Sequence, residues 1–209
     1  MIAAILLAAG SSRRFGVDNK LLAEVHGLPL VAHVARVLAR CRIDALVAVT
    51  GPDHDAVSAA VRSAVGGAGA GLATPDIAFV FNPRHAEGIG TSVAAGIAAL
   101  PQDVNGALVV QGDMPALAAV LIDALIARFE ATGRDRLVFP VTPERDQMNP
   151  VLWPRRSFPA LARLTGDRGA KSLIVAEGEH AETVMWADAR AFTDLDTREA
   201  LVRFVPGRD

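Results

Sequence analysis

Four stretches of the chain carry residue types that suit one kind of chemistry. Near the front, Ala9-Gly10-Ser11-Ser12-Arg13-Arg14-Phe15-Gly16 follows an apolar run, and Lys20 comes shortly after. Small residues let a backbone approach a phosphate closely, and exposed N–H groups with cationic side chains hold it. Gln111-Gly112-Asp113-Met114-Pro115 puts a carboxylate just past another apolar run, at the strand end where α/β sheets bind ligands. Asp113 there serves either as a helix N-cap or as an Mg²⁺ ligand, since magnesium takes one or two carboxylates and keeps waters and phosphates as its other partners. Gly88-Ile89-Gly90-Thr91-Ser92 opens a helical stretch with a donor-rich start that suits either an anion or capping. Asp196, in Asp194-Leu195-Asp196-Thr197, either caps a last helix or supplies a second carboxylate to the metal. Basic residues at the front and acids far along the chain point together to a nucleoside triphosphate.

Two common phosphate loops do not fit. The P-loop needs four residues between its glycines and then Gly-Lys-Ser/Thr, but Gly10 and Gly16 are spaced too widely and Val17 follows. The dinucleotide fingerprint needs Gly-x-Gly-x-x-Gly and an acid ending the next strand; here Ser12 stands at the second glycine, and the next strand runs into Gly51-Pro52.

A third pattern does fit. Leu7-Ala8-Ala9-Gly10, then Arg14-Phe15-Gly16 and Lys20, resembles the signature loop of nucleotidyltransferases, and Gly112-Asp113-Met114-Pro115 resembles their second signature. Asn82-Pro83 with Gly88, Ser92 and Gly96 resembles their base- and ribose-lining segment. Three later stretches are similar to the molybdenum cofactor cytidylyltransferases within the MobA-like family: Asn149-Pro150-Val151-Leu152-Trp153, Gly166-Asp167-Arg168-Gly169-Ala170-Lys171, and Asp194-Leu195-Asp196-Thr197. Met148 replaces a usual glycine, Lys171 a usual arginine and Arg198 a usual proline.

The resemblance implies transfer of CMP from CTP to the terminal phosphate of a molybdopterin-type cofactor, with Mg²⁺ as cofactor and a molybdenum hydroxylase or its chaperone as possible recipient. It implies catalytic roles for Arg14, Lys20 and Asp113, and nucleotide contacts from Leu7, Ala8, Ala9, Gly10, Ser11, Arg14, Lys20, Asn82, Gly88, Ser92 and Gly112. Asn149, Arg168, Gly169 and Lys171 fall on the acceptor side, and Asp113 and Asp196 on the metal. A phosphate nucleophile is already anionic near neutral pH, so no serine elbow or catalytic cysteine is required. The alternatives are a guanylyltransferase acting on the same cofactor, whose loop usually reads Leu-Ala-Gly-Gly, and a chaperone that binds cofactor without turnover.

The elements that must position these residues follow from pattern. Ile2–Ala8 and Ala45–Thr50 read as strands buried on both faces, and residues 77–81, 107–110, 137–141 and 183–186 read as further strands. Helical spacing follows Pro29 and the turns at Asp53 and Gly88, and Pro115 is expected to begin another helix. A short helix is expected over 157–164. Alternation of strand and helix, with 51% hydrophobic residues in 209, predicts one α/β domain spanning 1–209. The expected form is a three-layer, Rossmann-like fold with a mostly parallel central sheet. Its N-terminal half would bind nucleotide and its C-terminal half the acceptor. A net charge of -2 gives no basic field to draw nucleic acid or an anionic membrane. Cys41 is the only cysteine, which excludes an internal disulfide and a cysteine-based zinc site. No stretch has membrane-spanning length without charge, and a soluble cytoplasmic protein is expected.

Overall fold

The computed structural model describes residues 1–10, 19–67, 74–167, 170–195 and 198–204. In chain order the elements are β1 (Ile2–Ala8), β2 (Glu24–Val25), β3 (Leu28–Pro29), α1 (Leu30–Leu38), β4 (Ala45–Thr50), α2 (His54–Gly66), β5 (Asp76–Phe81), α3 (Ile89–Ala98) and β6 (Gly106–Gln111). There follow α4 (Ala119–Ala131), β7 (Leu137–Val141), β8 (Val151–Pro154), α5 (Phe158–Leu161), α6 (Lys171–Glu177), β9 (Ala181–Met185) and α7 (Arg198–Arg203). Seven strands form one sheet in the order β5-β4-β1-β6-β8-β7-β9, and β2 and β3 form a separate hairpin. Every pairing in the large sheet is parallel except those made by β8.

Every residue of β1 is buried, because both neighbours and both faces are covered. Its even positions, Ile2, Ala4, Leu6 and Ala8, pack with α1, α2 and α4. Its odd positions Ile5 and Leu7, with Ala9 just past its end, pack with α3 and with Leu161 and Ile174 of α5 and α6. The same alternation runs through β4, β6 and β8, so the sheet lies between two helical layers as its period of two requires. Helix α3 lies close on the sheet because Gly96 has no side chain: a Cβ there would stand 2.4 Å from Ile5 Cγ2 and 3.2 Å from Val49 Cγ2. The β2–β3 turn places both His26 (φ 49°) and Gly27 (φ 80°) in the left-handed region, the geometry of a two-residue hairpin loop. Among the described residues no helix is long and apolar enough to cross a membrane.

One strand is added and two expectations are corrected. The stretch after Asn149 is a strand, β8, inserted antiparallel between β6 and β7. It is short and bounded by Pro150 and Pro154, so periodicity could not mark it. Pro115 does not begin a helix; residues 114–117 make a turn, closed by Leu117 N–H donating to the Met114 carbonyl at 3.1 Å, and α4 starts only at Ala119. The helix expected over 157–164 is the shorter α5, entered through a 3₁₀ turn at Arg155–Ser157.

Two outcomes follow from this packing. Gly96→Val should destabilise the fold by about 1–3 kcal/mol by overpacking α3 on β1 and β4, read as a lowered urea midpoint with unchanged slope. Cys41 is buried and free, and burial first, then the nearby Asp123 carboxylate, pushes its thiol up to about 12. Its unfolded thiol titrates near 8.5. Cys41 should therefore resist a thiol reagent at pH 8 in the native protein and react once unfolded. Because the unfolded chain loses that proton first, its contribution to stability is whole below the unfolded value and falls as pH rises toward the folded one.

Candidate active site

The order β5-β4-β1-β6 places a topological switch between β1 and β6. From β1 the chain moves outward to β4 and β5, then returns to β6 on the other side. The loops leaving the carboxyl ends of β1 and β6 diverge there and open a crevice, the usual ligand position in such sheets. Ala9 and Gly10 leave β1 at this point, and Gly112 and Asp113 leave β6. Gly112 N–H donates to the Leu7 carbonyl at 3.0 Å, and a Cβ on Gly112 would stand 3.0 Å from that oxygen. A Cβ on Gly51, at the end of β4, would meet the Ala9 carbonyl oxygen at 2.6 Å. Glycine at both places lets three strand ends close on one another.

Lys20 reaches into this crevice. Its Nζ donates to Asp113 Oδ2 at 2.7 Å, with the side chains only 14% and 18% exposed. The other carboxylate oxygen, Asp113 Oδ1, is buried without a hydrogen-bond partner among the described residues. The Asp113 carbonyl accepts from Leu195 N–H at 3.2 Å, so the segment that runs on toward Asp196 is tied to Asp113. Lys20 is held by a residue that carries no motif of its own. Asn19 Oδ1 accepts from Leu21 N–H at 3.0 Å, capping the short turn that bears Lys20, while Asn19 Nδ2 donates to Asp53 Oδ2 at 2.9 Å. Asp53 stands at the cap position of α2 but makes no side-chain capping bond there. The only signal for this tether is an Asx-type residue just before the lysine.

A second cluster forms at the start of α3. Asn82, Thr91 and Ser92 are all buried. Asn82 Nδ2 donates to Thr91 Oγ1 at 2.9 Å and to Ser92 Oγ at 3.0 Å, and Thr91 Oγ1 donates to the Arg84 and Gly88 carbonyls. These side chains hold the loop in shape, and neither hydroxyl caps α3, whose cap position is Gly88. The Arg84 guanidinium hydrogen-bonds Glu87 and holds its carboxyl below the ordinary value. Gly88 has φ 121°, and a Cβ there would lie 2.3 Å from the Gly166 carbonyl carbon. Gly90 N–H donates to the Gly166 carbonyl at 3.0 Å. The expected base loop and the expected acceptor loop therefore touch, backbone to backbone.

Of the remaining site residues, Asn149 stands half-buried before β8 and is joined to Pro150 by a cis peptide bond. Lys171 is exposed at the first residue of α6. Ser11, Arg14, Arg168, Gly169 and Asp196 lie outside the described residues. Among the described residues no three His, Cys, Asp or Glu side chains converge as a metal cage.

Comparison with known proteins bears on the same surface. Residues 4–183 match the family described as the MobA-like NTP transferase domain. The bifunctional protein GlmU of Leifsonia xyli subsp. xyli is 31% identical over 144 residues, covering 68% of this chain and 28% of that protein. The chain thus spans little more than a quarter of that curated relative's length. The crystal structure of an Rv0371c homologue from Mycobacterium sp. strain JC1 superposes with a TM-score of 0.76 at 24% identity, over 97% of this chain and 93% of that one. Rv0371c of Mycobacterium tuberculosis H37Rv in complex with manganese superposes at 0.70 and 21% identity, over 97% and 96%. At these identities the structural likeness is one of fold. The family match covers most of the chain, including both signature stretches, and the chain belongs to the MobA-like NTP transferase domain family.

Proposed function

We propose that this nucleotidyltransferase moves CMP from CTP to the terminal phosphate of a molybdenum–molybdopterin cofactor, releasing pyrophosphate. The observation that carries the proposal is the Lys20–Asp113 pair at the switch between β1 and β6, with Asp113 Oδ1 buried and unpartnered. An orphaned carboxylate oxygen suits a hard divalent cation, and one or two carboxylates suffice when phosphates complete the shell. Asp113 would hold Mg²⁺, with Asp196 as second carboxylate. The manganese complex of a fold neighbour supports a divalent ion in this fold. When bound, the metal supplies charge to polarise the α-phosphoryl group.

The chain's own residues supply position and charge. Backbone amides at Ala9, Gly10 and Ser11, at the loop entered from Leu7 and Ala8, would hold the β- and γ-phosphates. Lys20 and Arg14 would neutralise charge growing on the departing pyrophosphate. The loop held by Asn82, Gly88 and Ser92 would receive base and ribose, and Gly112 allows close approach beside the α-phosphate. Asn149, Arg168, Gly169 and Lys171 would meet the acceptor, so the N-terminal half binds nucleotide and the C-terminal half the acceptor. The contact of Gly88 and Gly90 with Gly166 supports this division, because it sets the two loops side by side.

Pyrophosphate release with CTP, Mg²⁺ and molybdopterin-type acceptor is the direct test. Asp113→Ala should abolish it, and Lys20→Ala should lower kcat by roughly 10²–10³-fold, the usual loss of one charge-stabilising donor. Nucleoside triphosphates screened with Mg²⁺ by thermal shift should raise Tm most for CTP, since a bound ligand stabilises the folded state. A larger shift with GTP would reassign the base. Binding without pyrophosphate from any nucleotide and acceptor would leave a cofactor carrier in place of an enzyme.

A further inference from the structure

The Lys20–Asp113 contact does more than bring two site residues together. With the ammonium 2.7 Å from Oδ2, the carboxylate's charge is already balanced, and the pair sits largely out of water. A dication approaching Oδ1 then meets a nearby positive charge that solvent screens weakly. A triphosphate changes the balance. It offers Lys20 several phosphate oxygens in place of one carboxylate, and a lysine is a compact charge on a flexible stem, suited to changing partners. Asn19 and Asp53 hold the turn at the base of that stem, so the head group can move while its anchor stays.

We propose that Lys20 is a two-position residue. Without nucleotide it occupies Asp113 and keeps a free divalent cation out; with nucleotide it transfers to the triphosphate and releases Asp113 to the metal. Metal and nucleotide then bind as one cooperative unit, and metal does not load first. The proposal rests on the nucleotidyl-transfer reading above and adds an order of binding to it.

The test is equilibrium Mn²⁺ binding to the full chain, followed by the electron paramagnetic resonance signal of free Mn²⁺, with and without a non-hydrolysable α,β-methylene CTP. The native protein should bind Mn²⁺ alone weakly and roughly tenfold or more tightly with the analogue, within the usual range of coupling between sites. Lys20→Met and Lys20→Gln should bind Mn²⁺ alone about tenfold more tightly than native protein and gain little from the analogue. Asp113→Asn should lose Mn²⁺ binding in either condition. Native protein that binds Mn²⁺ equally well with and without the analogue overturns the proposal. So do folded Lys20 variants no tighter for Mn²⁺ alone than native protein. The analogue chelates Mn²⁺ by itself, so a protein-free titration of Mn²⁺ with the analogue is subtracted, and native protein with no tightening beyond it overturns the proposal even if both substitutions unfold the chain. Failure of every triphosphate to bind, by thermal shift as well as by Mn²⁺ titration, would instead remove the transferase reading itself.

Discussion

The bond between Lys20 and Asp113 joins the loops that leave two adjacent parallel strands. β1 and β6 end at the same edge of the sheet, so whatever follows them must coexist in one crevice. Opposite charges, mostly withdrawn from solvent, fix how those loops meet, because taking away either partner strands the other. The surrounding contacts serve that meeting. Asn19 and Asp53 brace the lysine's turn from β4, Gly112 lets the β6 exit lie against Leu7, and Leu195 N–H fastens a distant part of the chain to Asp113. Strands β4, β1 and β6 are neighbours, and the bracing spans all three.

The loop at the start of α3 is built differently. Behind Gly88 three polar side chains are turned inward, where Asn82, Thr91 and Ser92 satisfy one another. Arg84 and Glu87 face solvent and pair with each other, and Gly88 itself is buried. Against it lies Gly166, so near that no side chain fits between.

Much of this was legible in the residues. Strands buried on both faces show as unbroken apolar runs, and Ile2–Ala8, Ala45–Thr50 and Leu137–Val141 stand where such runs predict. The signatures placed Lys20 and Asp113 at the ends of two such strands, and the fold brings them into contact. Strand β8 escaped because four residues, the last of them a proline, carry no period. The start of α4 escaped because Pro115 is as suited to a turn as to a first helical position. Gly96 belongs to the base-loop pattern in sequence, yet the fold uses it to seat α3 on Ile5 and Val49. Asn19 marks a turn before the lysine, but its bond to Asp53 could not be read because it joins two turns that only the tertiary fold makes neighbours.

The position of β1 has a consequence for how the chain is made. Synthesis runs from the amino terminus, so β1 leaves the ribosome before the other strands of its sheet, yet it ends between β4 and β6. β4 follows within a short span, but Ile2 faces Gly106 on the other side. Until that part of the chain emerges, one whole edge of an entirely apolar strand stays unpaired, which is the condition that invites misassembly of nascent chains. The crevice between the exit loops of β1 and β6 needs both strands and closes only when that edge is finally covered.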